Sequence, residues 1–326
     1  MDRRKFAIMA GAALAAPRAL LAQPAKRVYR IAFLDDAGEG AREEIFSALI
    51  NHLRERGFVE GRNLIVELRR AQGMSERLNS LAAELVATKP DVIVTPGTPT
   101  TRAAMRATSS IPIVFLGAAD PLGAGLVASL ARPGGNVTGI SIVATETSQK
   151  TLELLHELLP GAQRIAYLTD PANPVVAIAY SRLEEKARAL KLSLQMLDGN
   201  GSAALERSFA AIRQGRVQGL LVGFVGTLTF HRDEIVRFAA REKLPTVYGW
   251  SGYVHAGGLM SYDVDRKSGR PRAAELIQKI FRGTKPADLP VEQISKTLLS
   301  INMKTSRALG IKIPESILLR ADEVIE

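Results

Sequence analysis

The sequence predicts an α/β protein built as two Rossmann-like lobes, each a parallel sheet covered by helices, joined by a hinge. Three observations carry that expectation. Short apolar runs recur without polar alternation, amphipathic segments separate them, and the same rhythm restarts half-way along the 326 residues. A strand with one wet face would alternate, so unbroken apolar strands need cover on both faces.

The first cycle opens with Ile31 to Leu34, which ends at Asp35-Asp36. The segment Ala41 to Arg56 then places Ile45, Phe46, Leu49, Ile50 and Leu53 on one helical face before Gly57 stops it. Strand Leu64 to Leu68 follows, then a helix from Ser75 to Ala87 and strands at Val92 to Thr95, Ile113 to Leu116 and Val137 to Ile142. After a helix bearing Leu152, Leu155 and Leu159, strands recur at Arg164 to Leu168, Leu192 to Leu197, Gly219 to Val225 and Pro245 to Tyr248. No residue-level repeat links the halves. No Pro/Gly/Ser-rich linker parts them either, so the chain is expected to cross between lobes through ordered segments. These are placed near Gly139 to Ala144, Gly258 to Asp263 and Ser295 to Asn302. The resulting division is residues 28–142 plus 263–290 for one lobe and 143–262 plus 291–326 for the other.

Residues 1–22 read as a cleavable secretory signal. Arg3, Arg4 and Lys5 precede the short apolar stretch Ala7 to Ala16, and Leu20-Leu21-Ala22 offers a small-residue exit. Ten apolar residues are too few to span a bilayer, which needs roughly 20. Arg3-Arg4 with Phe6 resembles the twin-arginine export motif, so the mature protein is expected in the periplasm. The formal charge of +10 falls to +7 without this segment. The remaining basic residues are interspersed with acids, as in Arg54-Glu55-Arg56, so a mixed solvated surface is expected rather than a nucleic-acid footprint. With no Cys there is no disulfide, thiol nucleophile or iron–sulfur ligation.

In an open parallel sheet, ligands collect beyond the carboxyl ends of the strands, where helix N-termini present unpaired N–H groups. The loops there nominate Asp35, Asp36, Thr98, Pro99, Thr100, Asp120, Asn173, Val225, Tyr248 and Asp263 as ligand-binding residues. Thr98 and Thr100 flank Pro99 at a helix start, where hydroxyls and free N–H groups can hold a carboxylate; N-capping explains the same residues. Asp120 and Asp263 can pair with a ligand amine, or act as a cap and a surface acid. Asn173 suits an Asx turn, and Tyr248 and Trp250 can stack on a ligand or fill a core.

Enzymatic constellations are thin. The four His residues lack paired metal spacing, and there is no H-E-x-x-H, G-x-S-x-G, Walker A or G-x-G-x-x-G signature. No catalytic residue, metal or cofactor is expected. The alternative reading is an exported α/β hydrolase or transferase with Asp120 or Asp263 as general base.

At these same loops the chain resembles a group of ABC-transporter substrate-binding proteins, the TrpX-like branch of the type I periplasmic-binding-protein fold. The matching segments include Gly57-Phe58-Val59-Glu60-Gly61-Arg62-Asn63-Leu64, the GTPT loop from Gly97, Asp120-Pro121, and Ala128-Ser129-Leu130-Ala131-Arg132-Pro133-Gly134-Gly135-Asn136-Val137-Thr138-Gly139. Gly257-Gly258-Leu259-Met260-Ser261-Tyr262 and the ending Arg320-Ala321-Asp322-Glu323-Val324-Ile325 continue it. The resemblance implies a monomeric two-lobed clamp that closes on an amino acid or related carboxylate and presents it to membrane permease and ATPase subunits, with no nucleic-acid partner. It also implies a carboxylate at Thr98 and Thr100, with Asp120, Asn173 and Asp263 around the cleft. Two stretches depart from the pattern: Phe224-Val225-Gly226-Thr227 stands where many relatives place Asp-Pro, and Asp35-Asp36 replaces neutral small residues. Two acids at that mouth can favour an amine-bearing ligand or be solvated.

Overall fold

The structure, a computed structural model, describes residues 27–37, 43–173 and 175–326. The expected signal at 1–22 lies outside the described residues. Residues 27–142 begin with strand β1 (Tyr29–Asp35), helix α1 (Glu43–Glu55), β2 (Leu64–Arg70) and α2 (Leu78–Ala87). They continue with β3 (Val92–Thr95), α3 (Thr98–Ala107), β4 (Ile113–Ala119) and β5 (Val137–Ile142). The second lobe runs through α4 (Ala144–Leu158), β6 (Arg164–Thr169), α5 (Val176–Ala189), β7 (Ser193–Asp198), α6 (Ser202–Gln214) and β8 (Gly219–Val222). Then come α7 (Gly226–Phe230), α8 (Arg232–Arg241), β9 (Thr246–Tyr248), α9 (Ser251–His255) and β10 (Met260–Val264). The chain returns to the first lobe for α10 (Arg270–Phe281) and β11 (Glu292–Ile294), and ends in the second with β12 (Thr297–Asn302), α11 (Met303–Leu309), α12 (Glu315–Leu318) and β13 (Glu323–Ile325).

Six strands in the order β11-β5-β4-β3-β1-β2 form one all-parallel sheet. Seven in the order β13-β12-β10-β9-β8-β6-β7 form the other, parallel except at β10–β12. The central strands of each sheet are buried on both faces, as the strand pattern required, while edge strands such as β7 and β13 are partly exposed. In β1, Ile31 and Phe33 enter one core while Ala32 and Leu34 enter the core on the opposite face. The second sheet likewise divides Ile165 and Tyr167 from Ala166 and Leu168.

The crossings differ from expectation in detail. Asp263 and Val264 stay in the second sheet, because β10 pairs with β12 through Val264. The chain therefore leaves that lobe at Asp265, after the expected segment Gly258 to Asp263. In turn, β11 pairs with β5 of the first sheet, so residues 291–294 belong to the first lobe and the last crossing is Ser295-Lys296. The first crossing is at Val143, between β5 and α4. Two crossing segments are tied to each other: the Asp265 amide donates to the Lys296 carbonyl at 2.8 Å, and the Lys296 ammonium sits 3.1 Å from the Asp265 carboxylate.

One irregularity shapes the first lobe's edge of the cleft. Register between β4 and β5 slips by one residue from Phe115 to Ala118, a bulge that re-aims the end of β4. Opposite it, Gly139 has φ +154°, and a Cβ there would overlap the Phe115 backbone. Only glycine fits, and Gly117 and Ala119 consequently face the space between the lobes.

Candidate ligand cleft between the lobes

A cavity of about 100 Å³ lies between the two sheets and is lined from both lobes. That exceeds by several fold the roughly 10–15 Å³ one water needs, so the space suits a small organic molecule. From the first lobe come Asp36 after β1, Gly97, Thr98 and Pro99 at the start of α3, and Gly117, Ala119 and Asp120 at the end of β4. From the second come Thr147, Ser148 and Thr151 on α4, Tyr167 on β6, Asn173 and Val175 after β6, and Phe224 to Gly226 after β8. The end of β10 contributes Asp263 and Val264, and the turn just after the crossing contributes Arg266.

Seven of the ten nominated residues line this cavity: Asp36, Thr98, Pro99, Asp120, Asn173, Val225 and Asp263. Thr98 begins α3, and its hydroxyl donates a long 3.4 Å bond to the Ala119 carbonyl, tying the two first-lobe loops. Amide groups in the first turn of a helix have no intrahelical acceptor, so this wall favours an anionic or carbonyl group. Asn173 closes an Asx turn, its Oδ1 accepting the Val175 amide at 3.3 Å. Asp120 caps its own turn by accepting the Gly123 amide at 2.9 Å and remains exposed.

Three nominated residues do not line the cavity. Thr100 turns back to cap its helix, donating to the Gly97 carbonyl at 2.9 Å and accepting the Gly97 amide at 3.3 Å. Asp35 is fully buried beneath the mouth, where Oδ1 accepts the Ala37 amide at 3.1 Å. Tyr248 is a core residue stacked on Tyr253 with ring centroids 4.8 Å apart. A ring at the end of a central strand packs inward where the sheet face continues beneath it.

Sequence reasoning missed two groups. Thr147, Ser148 and Thr151 sit at i, i+1 and i+4 of α4, one face of the first helix after a crossing; three hydroxyls at that spacing were the available signal. The Tyr167 hydroxyl, whose pKa burial raises, lies beside Ser148 and Thr169. Arg266 is the other omission. It follows the crossing in a turn packed against α10 and β11 of the first lobe, yet its guanidinium carbon lies 3.7 Å over the ring of Phe224 in the second. One of its nitrogens also crowds Gly117.

Electrostatically, Asp263 stands apart. It is 4% exposed; Oδ2 accepts the Ser251 amide at 2.9 Å, whereas Oδ1 is buried with no hydrogen-bond partner among the described residues. Burial pushes its pKa up to about 6, against the pull of nearby Arg266. The lobes touch around the cavity. Asp36 rests on Gly226, Phe230 on Gly73, and the Asn200 side-chain amide reaches the Ser75 hydroxyl at 3.5 Å. Val175 of the second lobe packs against the first lobe's core.

A model of the family described as ABC transporter substrate binding protein matches residues 31–325. The chain belongs to that family. It is 28% identical over 263 residues to the tyrosine-binding protein of Clostridioides difficile, covering 81% of this chain and 75% of the relative. It is also similar to an ABC domain from Streptococcus pneumoniae solved in complex with L-Trp, at 26% identity over 91% of this chain and 100% of that one, with a TM-score of 0.83. A ligand-free, open substrate-binding protein from Clostridium difficile matches at 25% identity over 91% of this chain and 99% of that one, but its TM-score is only 0.62. With these relatives this chain forms part of the TrpX-like branch, and its architecture is the type I periplasmic-binding-protein fold, shared with more distant solute-binding structures.

Proposed function

We propose that the protein is the extracytoplasmic receptor of an ABC importer, which closes on an amino acid or related small carboxylate between its lobes and delivers it to membrane permease subunits. The observation that carries this reading is the cavity lined by polar groups of both lobes, Thr98 with its helix start on one side and Thr147, Ser148 and Asn173 on the other. A ligand bridging those walls makes its full contacts only when the lobes are shut. It therefore shifts the hinge equilibrium by its differential affinity. The names of the two amino-acid-binding relatives support the ligand class. Against the hydrolase alternative, Asp120 spends its Oδ1 on its own turn, and among the described residues no hydrogen-bonded nucleophile–base pair includes it.

The test is thermal denaturation with the twenty L-amino acids and a set of small carboxylates. A ligand at a hundred times its Kd should stabilise by about 2.7 kcal/mol. Failure of every compound, together with a crystal structure whose cleft is filled by the protein's own side chains, would overturn the proposal.

A further inference from the structure

We propose that the cleft selects a short carboxylate bearing an aliphatic hydroxyl, of the size of serine, threonine or glycerate, reads that hydroxyl with the threonine face of α4, and excludes aromatic amino acids. The inference rests on the reading of this cavity as the ligand site and names the substrate class it takes.

Size is the first argument. At about 100 Å³ the cavity is smaller than the roughly 150 Å³ that admits a single benzene molecule. A phenol or indole joined to an amino-acid head exceeds it, whereas a short aliphatic skeleton does not. More room requires the lobes to part. Contacts at the rim oppose that: Phe230 packs on Gly73, and the Asn200 side-chain amide reaches the Ser75 hydroxyl at 3.5 Å. A bulkier ligand forfeits both. The Phe224 ring, which a ligand ring could have stacked on, already carries the Arg266 guanidinium 3.7 Å over one face.

Polarity is the second. A threonine hydroxyl has one proton to give and two lone pairs with which to accept. On α4, Thr147 donates to the Val143 carbonyl at 3.1 Å and Thr151 to the Ser148 carbonyl at 2.7 Å. Both protons stay with the backbone, so these oxygens offer the cavity acceptors. Thr151 is only 6% exposed, and an apolar group laid against its oxygen would remove water without replacing it. On the opposite wall the first turn of α3 offers amide donors. A molecule with a carboxylate at one end and an O–H a few bonds away matches both walls. An ammonium fits the α4 wall less well, because it needs a counter-charge and no acid is among the α4 residues lining the cavity.

The experiment is isothermal titration calorimetry on the full mature chain with matched pairs: L-serine and L-alanine, L-threonine and L-2-aminobutyrate, D-glycerate and D-lactate. L-Tyrosine and L-tryptophan complete the set. In at least one pair the hydroxylated member should bind at least a hundredfold tighter than its deoxy partner, and at least a hundredfold tighter than either aromatic amino acid. Serine against glycerate tells a hydroxy amino acid from a hydroxy acid. Thr151→Val, which removes the oxygen at nearly constant shape, should weaken the hydroxylated member at least tenfold and leave its deoxy partner within about threefold. Thr151→Ser, which restores the oxygen, should recover most of the difference. A tightest ligand without an aliphatic hydroxyl, deoxy partners bound equally well, or a loss in Thr151→Val that is the same for both members would overturn the inference and leave the receptor reading intact. Binding by no amino acid and no carboxylate would overturn the receptor reading itself, and this inference with it.

Discussion

The Asp36 carboxylate of one lobe rests on Gly226 of the other so closely that any Cβ at 226 would overlap it. Both residues are buried there, at the mouth of the cavity, where the stretches that depart from the family pattern meet. Gly226→Ala should therefore hinder closure without disturbing either core. Small-angle scattering of the ligand-saturated variant is expected to give a larger radius of gyration than wild type. Affinity should fall at least tenfold, about 1.4 kcal/mol, with little change in the melting temperature of the unliganded protein.

Asp263 should make stability depend on pH in the opposite direction from a salt-bridged acid. Its folded pKa of about 6 lies above the 3.8 of an ordinary aspartate, so the stability it contributes is complete below about pH 4 and is lost as pH rises through 6. Asp263→Asn should then be more stable than wild type at pH 8, by no more than about 3 kcal/mol, and equal to it near pH 4. Urea denaturation at the two pH values measures this. A variant less stable than wild type at pH 8 would contradict the account.

Arg266 joins the lobes through its stack on Phe224, a cation–π contact worth roughly 1–2 kcal/mol when desolvated. Since the contact spans the hinge, Arg266→Ala should enlarge the open fraction of the unliganded protein, seen as an increase in scattering radius. Phe224→Leu should reproduce that effect. If neither substitution moves the radius, the stack does not hold the lobes together.

Gly139 carries the steric demand of the β4 bulge. At φ +154° and with the Phe115 backbone against its Cα, Gly139→Ala forces the two strands apart and should cost about 3 kcal/mol or more. The loss should appear as a reduced urea midpoint with an unchanged slope.

Much of the fold was legible because it is written in short periods. The β1 run from Ile31 to Leu34 and the α1 face from Ile45 to Leu53 are local patterns, and burial on both faces of the sheet follows from them. The Thr98 loop was legible for the same reason, since strand–turn–helix chemistry is local. Thr100 stands outside the cavity lining because its hydroxyl finds an acceptor in its own helix start. Tyr248 is drawn into a core because the apolar layer beneath β9, which includes Tyr253, is assembled from distant segments. Arg266 was invisible for a related reason: its partner, Phe224, is 42 positions earlier in the sequence and meets it only after the chain has crossed at Asp265. The same applies to the end of β11, whose three residues Glu292–Ile294 acquire their sheet from pairing with β5 rather than from any pattern of their own.

The bond between the Asp265 amide and the Lys296 carbonyl, with the ion pair beside it, welds two of the three tethers into a single rod. A body held to its neighbour by such a rod and one further segment is expected to swing more readily than to slide. On such a swing, groups mounted next to the pivot, Asp263 foremost, would travel least. A molecule gripped there would keep its inner hold while the outer rim swings clear.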